Sequence, residues 1–239
     1  MIDFAIIGAQ KSGTTALAHF LDQHSAIAMT RPKEAHIFDA EDFDPENVDR
    51  EYLPFFEHAS EDQLKGDATP IYIFWQDVLK RLYNYKAGLK LIVLLRDPVD
   101  RAISHYEMEQ GRGNEKLPLW LALLTESNRL KCDTKPKAEQ SATRNHSYRT
   151  RGYYTRQLKE VREIFPSDQV LIVTMENLLK KHDETLAQVF SFLGVDPNVS
   201  IQHEIVFSGG ESRKLYPFSR FMLRLCYLLE YCRLQRYVE

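Results

Sequence analysis

Apolar runs and amphipathic stretches alternate along the whole chain. Short apolar runs predict buried parallel strands over Phe4–Ile7, Ile27–Met29, Leu89–Leu95 and Val170–Thr174. Helical periodicity predicts helices over Thr14–Leu21, Trp75–Tyr83, Val99–Gln110, Leu117–Asn128, Tyr153–Ile164 and Glu184–Leu193. Strands that alternate with helices form right-handed βαβ units around a parallel sheet. The pattern therefore predicts an α/β fold with three layers (α/β/α) and a central parallel sheet.

A glycine-rich turn joins the first predicted strand to the first helix. Its candidate binding residues are Gly8, Lys11, Ser12, Gly13, Thr14 and Thr15. Backbone N–H groups and the positive end of a helix make such a turn attractive to an oxyanion. In a nucleotide-hydrolysing P-loop the lysine follows the second glycine, whereas here Lys11 precedes Gly13. The turn thus predicts a P-loop-like phosphate cradle with a displaced lysine, and a glycine-rich turn with a solvated lysine is the alternative.

A second basic segment begins where the third predicted strand ends. A buried strand leads to Arg96, and Pro98 suits the first turn of the next helix. That helix carries Ser104 about two turns on, on the face of Arg101 and Asp97. An arginine fork and a hydroxyl at a strand end form a good site for a terminal phosphate. A surface ion pair between Arg96 and Asp97, or one formed by Arg101, is the alternative.

The segment 31–39 combines titratable and apolar side chains. Alternation along an extended chain would place Glu34, His36 and Phe38 on one side, with Asp39 close by. A carboxylate beside an imidazole can remove a proton from an acceptor. Taken by itself, this segment fits ordinary surface residues better than a catalytic pair.

Composition narrows the classes of function. The net charge of −3 argues against general nucleic-acid binding, which needs a basic surface. The three cysteines form neither a metal-spaced cluster nor an even disulfide set, so we expect a reducing, cytoplasmic environment and no metal site. The first predicted strand begins near residue 3, so we expect no signal peptide, and no apolar run reaches membrane-spanning length.

The chain length fits one domain, residues 1–239. Residues 111–150 are polar, locally basic and irregular apart from one helix, which predicts a lid or acceptor-binding insert. Residues 218–238 carry apolar side chains at helical spacing. We expect this amphipathic helix to pack on the sheet or on a partner in a homodimer, with contact of its arginines to a membrane surface as the weaker alternative.

Together the three segments resemble the sulfotransferases that use 3′-phosphoadenosine 5′-phosphosulfate (PAPS), in particular the heparan sulfate N- and 3-O-sulfotransferases and their bacterial relatives. The turn matches the family's Gly-x-x-Lys-[Ser/Thr/Gly]-Gly-Thr, which holds the 5′-phosphosulfate. The strand-Arg-Asp-Pro-x-x-Arg-x-x-Ser element, which holds the 3′-phosphate, matches at Arg96 and Ser104. The Lys-Glu-x-His-x-Phe-Asp segment places the family's catalytic glutamate at Glu34, with His36 and Asp39 nearby.

Further matches extend the resemblance over nearly the whole chain. Thr69 and Tyr72 match the family's Thr/Ser-Pro-x-Tyr, and Arg151 begins an Arg-Gly-Tyr-Tyr-x-x-Gln-Leu match. The resemblance assigns these three residues and Asp39 to the acceptor. The family's loop that closes over the nucleotide corresponds to a late segment with Ser212, Arg213 and Lys214.

The resemblance implies in-line transfer of a sulfuryl group from PAPS to an acceptor hydroxyl, with the bisphosphate PAP as product and no metal. Lys11 would meet the charge on the departing 5′-phosphate, and Glu34 would take the acceptor's proton, with His36 orienting it or sharing the role. Thr15 and Ala68 stand where the 3-O branch has basic residues, which argues against a heparan-like acceptor. Glycan, lipid, peptide tyrosine and polyketide hydroxyls all stay open.

Two other classes of function remain. A nucleotide kinase or another P-loop phosphotransferase shares the topology and the first turn. It does not explain the displaced lysine or the lack of an obvious Mg²⁺-holding aspartate at a strand end. A catalytically silent nucleotide-binding module would keep the fold, but the presence of both Lys11 and Glu34 argues against it.

Overall fold

A computed structural model describes residues 1–202 and 216–238. Within these residues the strands are β1 (Phe4–Gly8), β2 (Ile27–Met29), β3 (Leu64–Asp67), β4 (Lys90–Leu95) and β5 (Val170–Thr174). The helices are α1 (Thr14–Leu21), α2 (Val48–Tyr52), α3 (Gln76–Tyr85), α4 (Pro98–Gly111), α5 (Leu119–Lys131), α6 (Ala142–Asn145), α7 (Tyr154–Ile164), α8 (Met175–Lys180), α9 (His182–Leu193), α10 (Pro217–Cys226) and α11 (Leu228–Val238). None of these helices is long and apolar enough to cross a membrane.

The described chain divides into two compact units. The first comprises residues 1–96 and 158–202, and the second comprises residues 97–157 and 216–237. All the strands given above belong to the first unit, where they form one parallel sheet of order β2-β3-β1-β4-β5. The predicted α/β class with a central parallel sheet is confirmed.

Strand order in this sheet reverses around β1. The chain runs from β1 outward to β2, returns through β3, and then crosses to β4 on the other side of β1. Ligands of open parallel sheets bind beyond the carboxyl ends of the strands at such a switch point. The switch therefore places the end of β1, at Gly8, and the end of β4, at Leu95, where a ligand is expected.

The core of the first unit explains why its strands read as unbroken apolar runs. All five residues of β1 are buried, and so is β4 from Leu91 onward. Phe4 and Ile6 of β1 pack in one cluster with Leu17 of α1 and Phe190 of α9. Burying such a side chain contributes about 1.5–3 kcal/mol, so a strand covered on both faces is apolar at nearly every position.

Strand β3 has no counterpart among the sequence predictions. Its sequence, Leu-Lys-Gly-Asp, contains two charged residues and a glycine, which ordinarily mark a turn. A Cβ atom at Gly66 would lie 2.2 Å from Cζ of Phe4, so the glycine leaves room for the phenyl ring. Packing between neighbouring strands therefore outweighs the local sequence signal.

The second unit has its own core, built from α4, α5 and α10 around Tyr148 and Tyr227. The helix predicted over 218–238 is in fact two helices that meet at Tyr227, whose hydroxyl donates to the carbonyl of Arg149 at 2.7 Å. The insert predicted at 111–150 contains α5 and α6, and Leu123 of α5 is buried in this core. A role of the insert as a lid stays a prediction.

Candidate active site

The turn after β1 owes its shape to its backbone. Gly13, which precedes α1, has a φ of +92°, where glycine is unstrained, and its hydrogen side chain provides no cap. A Cβ at Gly8 would lie 2.4 Å from Cγ2 of Ile73, so the chain passes too closely for a larger residue. The first N–H groups of α1 have no intrahelical acceptor. Together with the helix dipole, these groups favour a bound anion.

Side chains of the same turn add polar groups to this cradle. Ser12 is fully buried, and its hydroxyl has no hydrogen-bond partner in the part of the chain that the structure describes. Leaving a buried hydroxyl unsatisfied costs about 1–3 kcal/mol, so its presence here fits a bound oxyanion. Lys11 has a φ of +68°, a strained value for a residue with a side chain, and strain of this kind concentrates at functional sites.

Arg96 follows β4 and is the point at which the two predicted phosphate segments meet. Its Nη1 donates to the carbonyl oxygen of Lys11 at 3.2 Å, because β4 is the sheet neighbour of β1. The structure therefore brings the turn and Arg96 together within the first unit. A guanidinium group held beside the turn gives this sheet edge a second group that can bind an anion.

Ser104 belongs to the second unit, on α4, where its side chain is half-buried. Asp97 caps α4 by accepting from the N–H of Asp100 at 2.9 Å. Arg101 is fully buried and donates to the carbonyl of Tyr148, so the alternative of a surface ion pair for Arg101 is wrong. A contact of Ser104 with a 3′-phosphate stays a prediction.

The segment after β2 forms a row of alternating charges. Nζ of Lys33 donates to Oε1 of Glu34 at 2.7 Å, and Oε2 of Glu34 lies 3.5 Å from Nε2 of His36. On its other side, Nδ1 of His36 lies 3.1 Å from Oδ1 of Asp39. The side chains of Glu34 and His36 are 36% and 40% exposed, whereas Asp39 is buried, so a reactant can reach the first two. A buried carboxylate thus orients an imidazole, which in turn holds a second, accessible carboxylate.

The predicted alternation of Glu34, His36 and Phe38 on one side is wrong. Glu34 and His36 have φ values of +66° and +56°, so the backbone is not extended there. Phe38 is fully buried, and its ring lies 5.8 Å from that of Tyr72 and 5.4 Å from that of Tyr85. Phe38 therefore anchors the loop while Glu34 and His36 face outward.

Neighbouring charges set the protonation of this pair. Burial by itself raises the pKa of Glu34, but hydrogen bonds and charge from His36 and Lys33 outweigh it and lower the pKa to about 2. For His36, burial lowers the pKa, but the hydrogen bonds to Asp39 and Glu34 outweigh that effect and raise it to about 9. At neutral pH, Glu34 is therefore an ionised carboxylate and His36 an imidazolium.

Asp67, at the end of β3, supports the loop through hydrogen bonds and is not among the residues predicted from the sequence. Its carboxylate is fully buried and accepts from the hydroxyls of Tyr52 and Thr69, each at 2.8 Å. It also accepts a hydrogen bond from the backbone of Ala35, between the two exposed residues of the pair. Burial raises the pKa of Asp67 despite these donors. Its one sequence signal is a position just before the Thr-Pro match.

Three residues assigned to the acceptor have structural partners. Thr69 and Tyr72 are fully buried, and the Tyr72 hydroxyl accepts from the N–H of Phe38 at 3.3 Å. Arg151 is buried, with Nη2 donating to the carbonyls of Thr143 and Arg144, and burial lowers its pKa to about 9. We interpret all three as supports, and their contact with an acceptor stays a prediction.

Two points of the predicted site lie beyond these residues. Ser212, Arg213 and Lys214 fall outside the described residues. Within residues 1–202 and 216–238, no group of three or more histidine, cysteine, aspartate or glutamate side chains is arranged to hold a metal ion.

Comparison with known proteins identifies relatives of the chain. A family model described as "Sulfotransferase domain" matches residues 1–209. Heparan sulfate glucosamine 3-O-sulfotransferase 5 of Mus musculus is 28% identical over 208 residues, which cover 85% of this chain and 56% of that protein. Bifunctional heparan sulfate N-deacetylase/N-sulfotransferase 3 of the same species is 27% identical over 210 residues, which cover 85% of this chain and 23% of that protein. The chain thus spans about half, or less, of the length of these relatives.

Solved structures share the fold. A sulfotransferase from Alicyclobacillus acidocaldarius superposes with a TM-score of 0.82 and 25% identity, over 100% of this chain and 96% of that one. A mouse sulfotransferase complexed with PAP gives a TM-score of 0.50 at 19% identity, over 82% of this chain and 60% of that one. At that identity, the second likeness concerns the fold alone.

Proposed function

Since the chain belongs to the sulfotransferase family, we propose that it transfers a sulfuryl group from PAPS to an acceptor hydroxyl. The observation that carries this proposal is the accessible Glu34 carboxylate, which His36 and the buried Asp39 hold in place. The anion cradle of residues 8–15, at the end of β1, complements this carboxylate. The cradle follows β1 and the Glu34 loop follows β2, and both strands pair in parallel with β3, so both elements lie at the same edge of the sheet.

The turn at residues 8–15 and Arg96 form the proposed donor site. The first N–H groups of α1 and the Ser12 hydroxyl would bind the oxygens of the 5′-phosphosulfate, and Arg96 would add charge at the end of β4. PAPS supplies an activated sulfuryl group whose leaving group is the 5′-phosphate of PAP. Lys11 would stabilise the negative charge on that phosphate as it departs.

Glu34 is the proposed base. Its low pKa of about 2 keeps the carboxylate ionised but makes it a weak proton acceptor. Lys33 occupies Oε1 of Glu34 in the structure. An acceptor hydroxyl that replaces Lys33 there would remove a positive neighbour and raise the proton affinity of the carboxylate. His36, fixed through Nδ1 by Asp39, would keep the other oxygen in position.

The names of the relatives direct the proposal toward a glycan acceptor. Thr15 and Ala68 stand where basic residues serve a polyanionic chain in the 3-O branch, so we propose a glycan of low charge. A hydroxyl is the proposed nucleophile, because His36 belongs to the oxygen-sulfating pattern.

The decisive experiment is incubation of the purified protein with [³⁵S]PAPS and a panel of acceptors: neutral glycans, heparan fragments, lipids, peptide tyrosines and polyketide alcohols. Label on a neutral glycan in the wild type and none with Glu34→Gln is the expected result. In parallel, calorimetry compares PAP without metal against ATP with Mg²⁺. Binding of ATP–Mg²⁺ without binding of PAP would contradict the proposal and favour a phosphotransferase. PAP binding with no labelled acceptor in any class would favour a silent nucleotide-binding module.

A further inference from the structure

Helices α10 and α11 carry an apolar face that points away from their own unit. Its members, here called the outer face, are each 59–64% exposed: Phe218, Phe221, Leu225, Leu228 and Leu229. The opposite side of the same helices supplies Leu223 and Tyr227 to the core of the second unit. Soluble monomeric proteins rarely expose a contiguous stripe of five large apolar side chains, and such patches mark interaction sites.

The outer face extends over both helices, which meet at Tyr227. The N–H of Tyr227 donates to the carbonyl of Leu223 at 2.9 Å, and the N–H of Tyr231 donates to the carbonyl of Tyr227 at 3.0 Å. Tyr227 thus closes the last turn of α10 and accepts the first hydrogen bond of α11, so the two helices follow each other without a loop between them. At about 100° per residue, the five apolar side chains fall within roughly one third of the helix circumference.

Positive charge borders this stripe on both sides. The same angular count places Arg224 on one edge and Arg233 on the other, and both side chains are exposed, as is that of Arg236. Between Pro217 and Val238 the one carboxylate is Glu230, which is buried and accepts from the N–H and the hydroxyl of Thr155 at 2.6 and 2.8 Å. Along α10 and α11, the outer face thus offers hydrophobic groups and cations without an acidic group.

We propose that the outer face binds the surface of a membrane that contains anionic lipids. The phenyl and leucyl groups would enter the boundary between headgroups and acyl chains, while the bordering arginines contact lipid phosphates. Helix α5, which packs against α10, exposes Trp120 and Leu124, residue types that suit the same interface.

The charges argue against a second copy of the chain as the occupant. In a two-fold symmetric contact each copy presents the same patch, so arginines at the edges of one stripe would face arginines of the other. The outer faces of α10 and α11 contain no carboxylate to compensate them. An anionic lipid surface removes this repulsion, because every headgroup phosphate is a partner for an arginine.

The test is co-sedimentation of the purified chain with vesicles of phosphatidylcholine alone and of equal parts phosphatidylcholine and phosphatidylserine. We expect binding to the mixed vesicles that weakens with salt. The double variant Arg224→Glu/Arg233→Glu should bind at least about 25-fold more weakly, since each basic group near an anionic surface contributes about a factor of 5. Phe221→Ser/Leu225→Ser should abolish binding.

The matched control is Arg50→Glu/Lys80→Glu, which reverses two exposed cations on α2 and α3 and should leave vesicle binding unchanged. Circular dichroism and urea unfolding of every variant check folding independently of the proposed function. Equal loss of binding in the control would reduce the effect to net charge and overturn the proposal. So would absence of wild-type binding to mixed vesicles, or a stable dimer that Phe221→Ser/Leu225→Ser dissociates, which would make a second copy the occupant.

Discussion

The turn at residues 8–15 and the loop at residues 33–39 both hold charged groups at one edge of the sheet, but they are built by different means. The turn relies on its own backbone: a glycine with positive φ, the start of α1, and the close passage of Gly8 over Ile73. The loop relies on distant side chains. Asp67, Tyr72 and Phe38 fix it from β3 and the core, and Glu34 and His36 are then exposed on strained backbone.

This difference separates two tasks. Backbone N–H groups at the start of a helix bind an oxyanion whatever the neighbouring side chains are. The turn therefore suits a donor that does not change. A general base must instead have a position and a pKa that match the particular substrate hydroxyl, and side chains permit that adjustment. We therefore expect turn variants to weaken donor binding, whatever their effect on turnover, and loop variants to lower turnover at unchanged donor affinity.

The largest expected effect is that of Glu34→Gln. The amide has the size of the carboxylate but accepts no proton, so turnover should fall at least about 100-fold, the low end of general acid–base contributions. PAP affinity, measured by calorimetry, should not change. Glu41→Gln, at an exposed position of the same region, is the control and should behave as wild type. Near-normal turnover of Glu34→Gln would remove Glu34 from the role of base.

Lys11→Ala tests the turn in the complementary way. Loss of a cation placed at the leaving phosphate should lower turnover about 100-fold, the scale seen for a single preorganised electrostatic group. Unlike Glu34→Gln, this variant should also weaken PAP binding, because the charge contacts donor and product alike. Lys80→Ala, at an exposed position on α3, serves as the control. If Lys11→Ala left PAP affinity intact, the assignment of the turn to the donor would be wrong.

Asp67→Asn addresses the support of the loop. The amide nitrogen would face donors, and the N–H of Ala35 cannot reverse its direction as the hydroxyls of Tyr52 and Thr69 can. We expect the free energy of unfolding in urea to fall by about 1–3 kcal/mol. Turnover should fall about 10-fold, as for a misplaced general base, with unchanged PAP affinity. A parallel loss of PAP affinity would show that turn and loop are not independent.

The sequence predicted the turn and the strands well because their signals are local. Helix α1 and strands β2 and β5 have the predicted bounds, since each contains its own apolar pattern or glycine turn. Strand β3 was not predicted, because its glycine reads as a turn residue in the local sequence. The reason for Gly66 is the ring of Phe4, which lies in another strand and leaves no room for a side chain there.

The loop shows the limit of the same approach. Glu34, His36 and Asp39 were named by resemblance, but their geometry was not, because alternation presumes an extended backbone. The positive φ values depend on tertiary contacts: the Asp67 carboxylate below Ala35 and the burial of Phe38. Lys33 was overlooked although it directly precedes Glu34, since a lysine in a loop reads as solvated.

Asp39→Asn should produce a smaller, pH-dependent effect. The hydrogen bond that His36 donates to the Asp39 carboxylate is the largest cause that raises the pKa of His36, so NMR titration of the ring should show the pKa falling from about 9 toward 6.5. Protonated His36 stabilises the wild type below pH 6.5, and that contribution is lost as the pH rises through 9. The urea midpoint of the wild type should therefore fall over this interval, and that of Asp39→Asn should fall less. An unchanged titration would show that Asp39 does not act through His36.

Ser12→Ala has the smallest expected effect, and it tests whether the turn depends on its side chains. The buried Ser12 hydroxyl is unpartnered within the described residues, so its removal should leave the ligand-free protein as stable as the wild type, or slightly more stable. The same change deletes one donor to the oxyanion and should weaken PAP binding about 5-fold, the scale of one hydrogen bond. Urea unfolding with and without PAP measures both quantities on one sample. Lower stability without PAP would mean that the hydroxyl has a structural partner, and the turn would then depend on its side chains as the loop does.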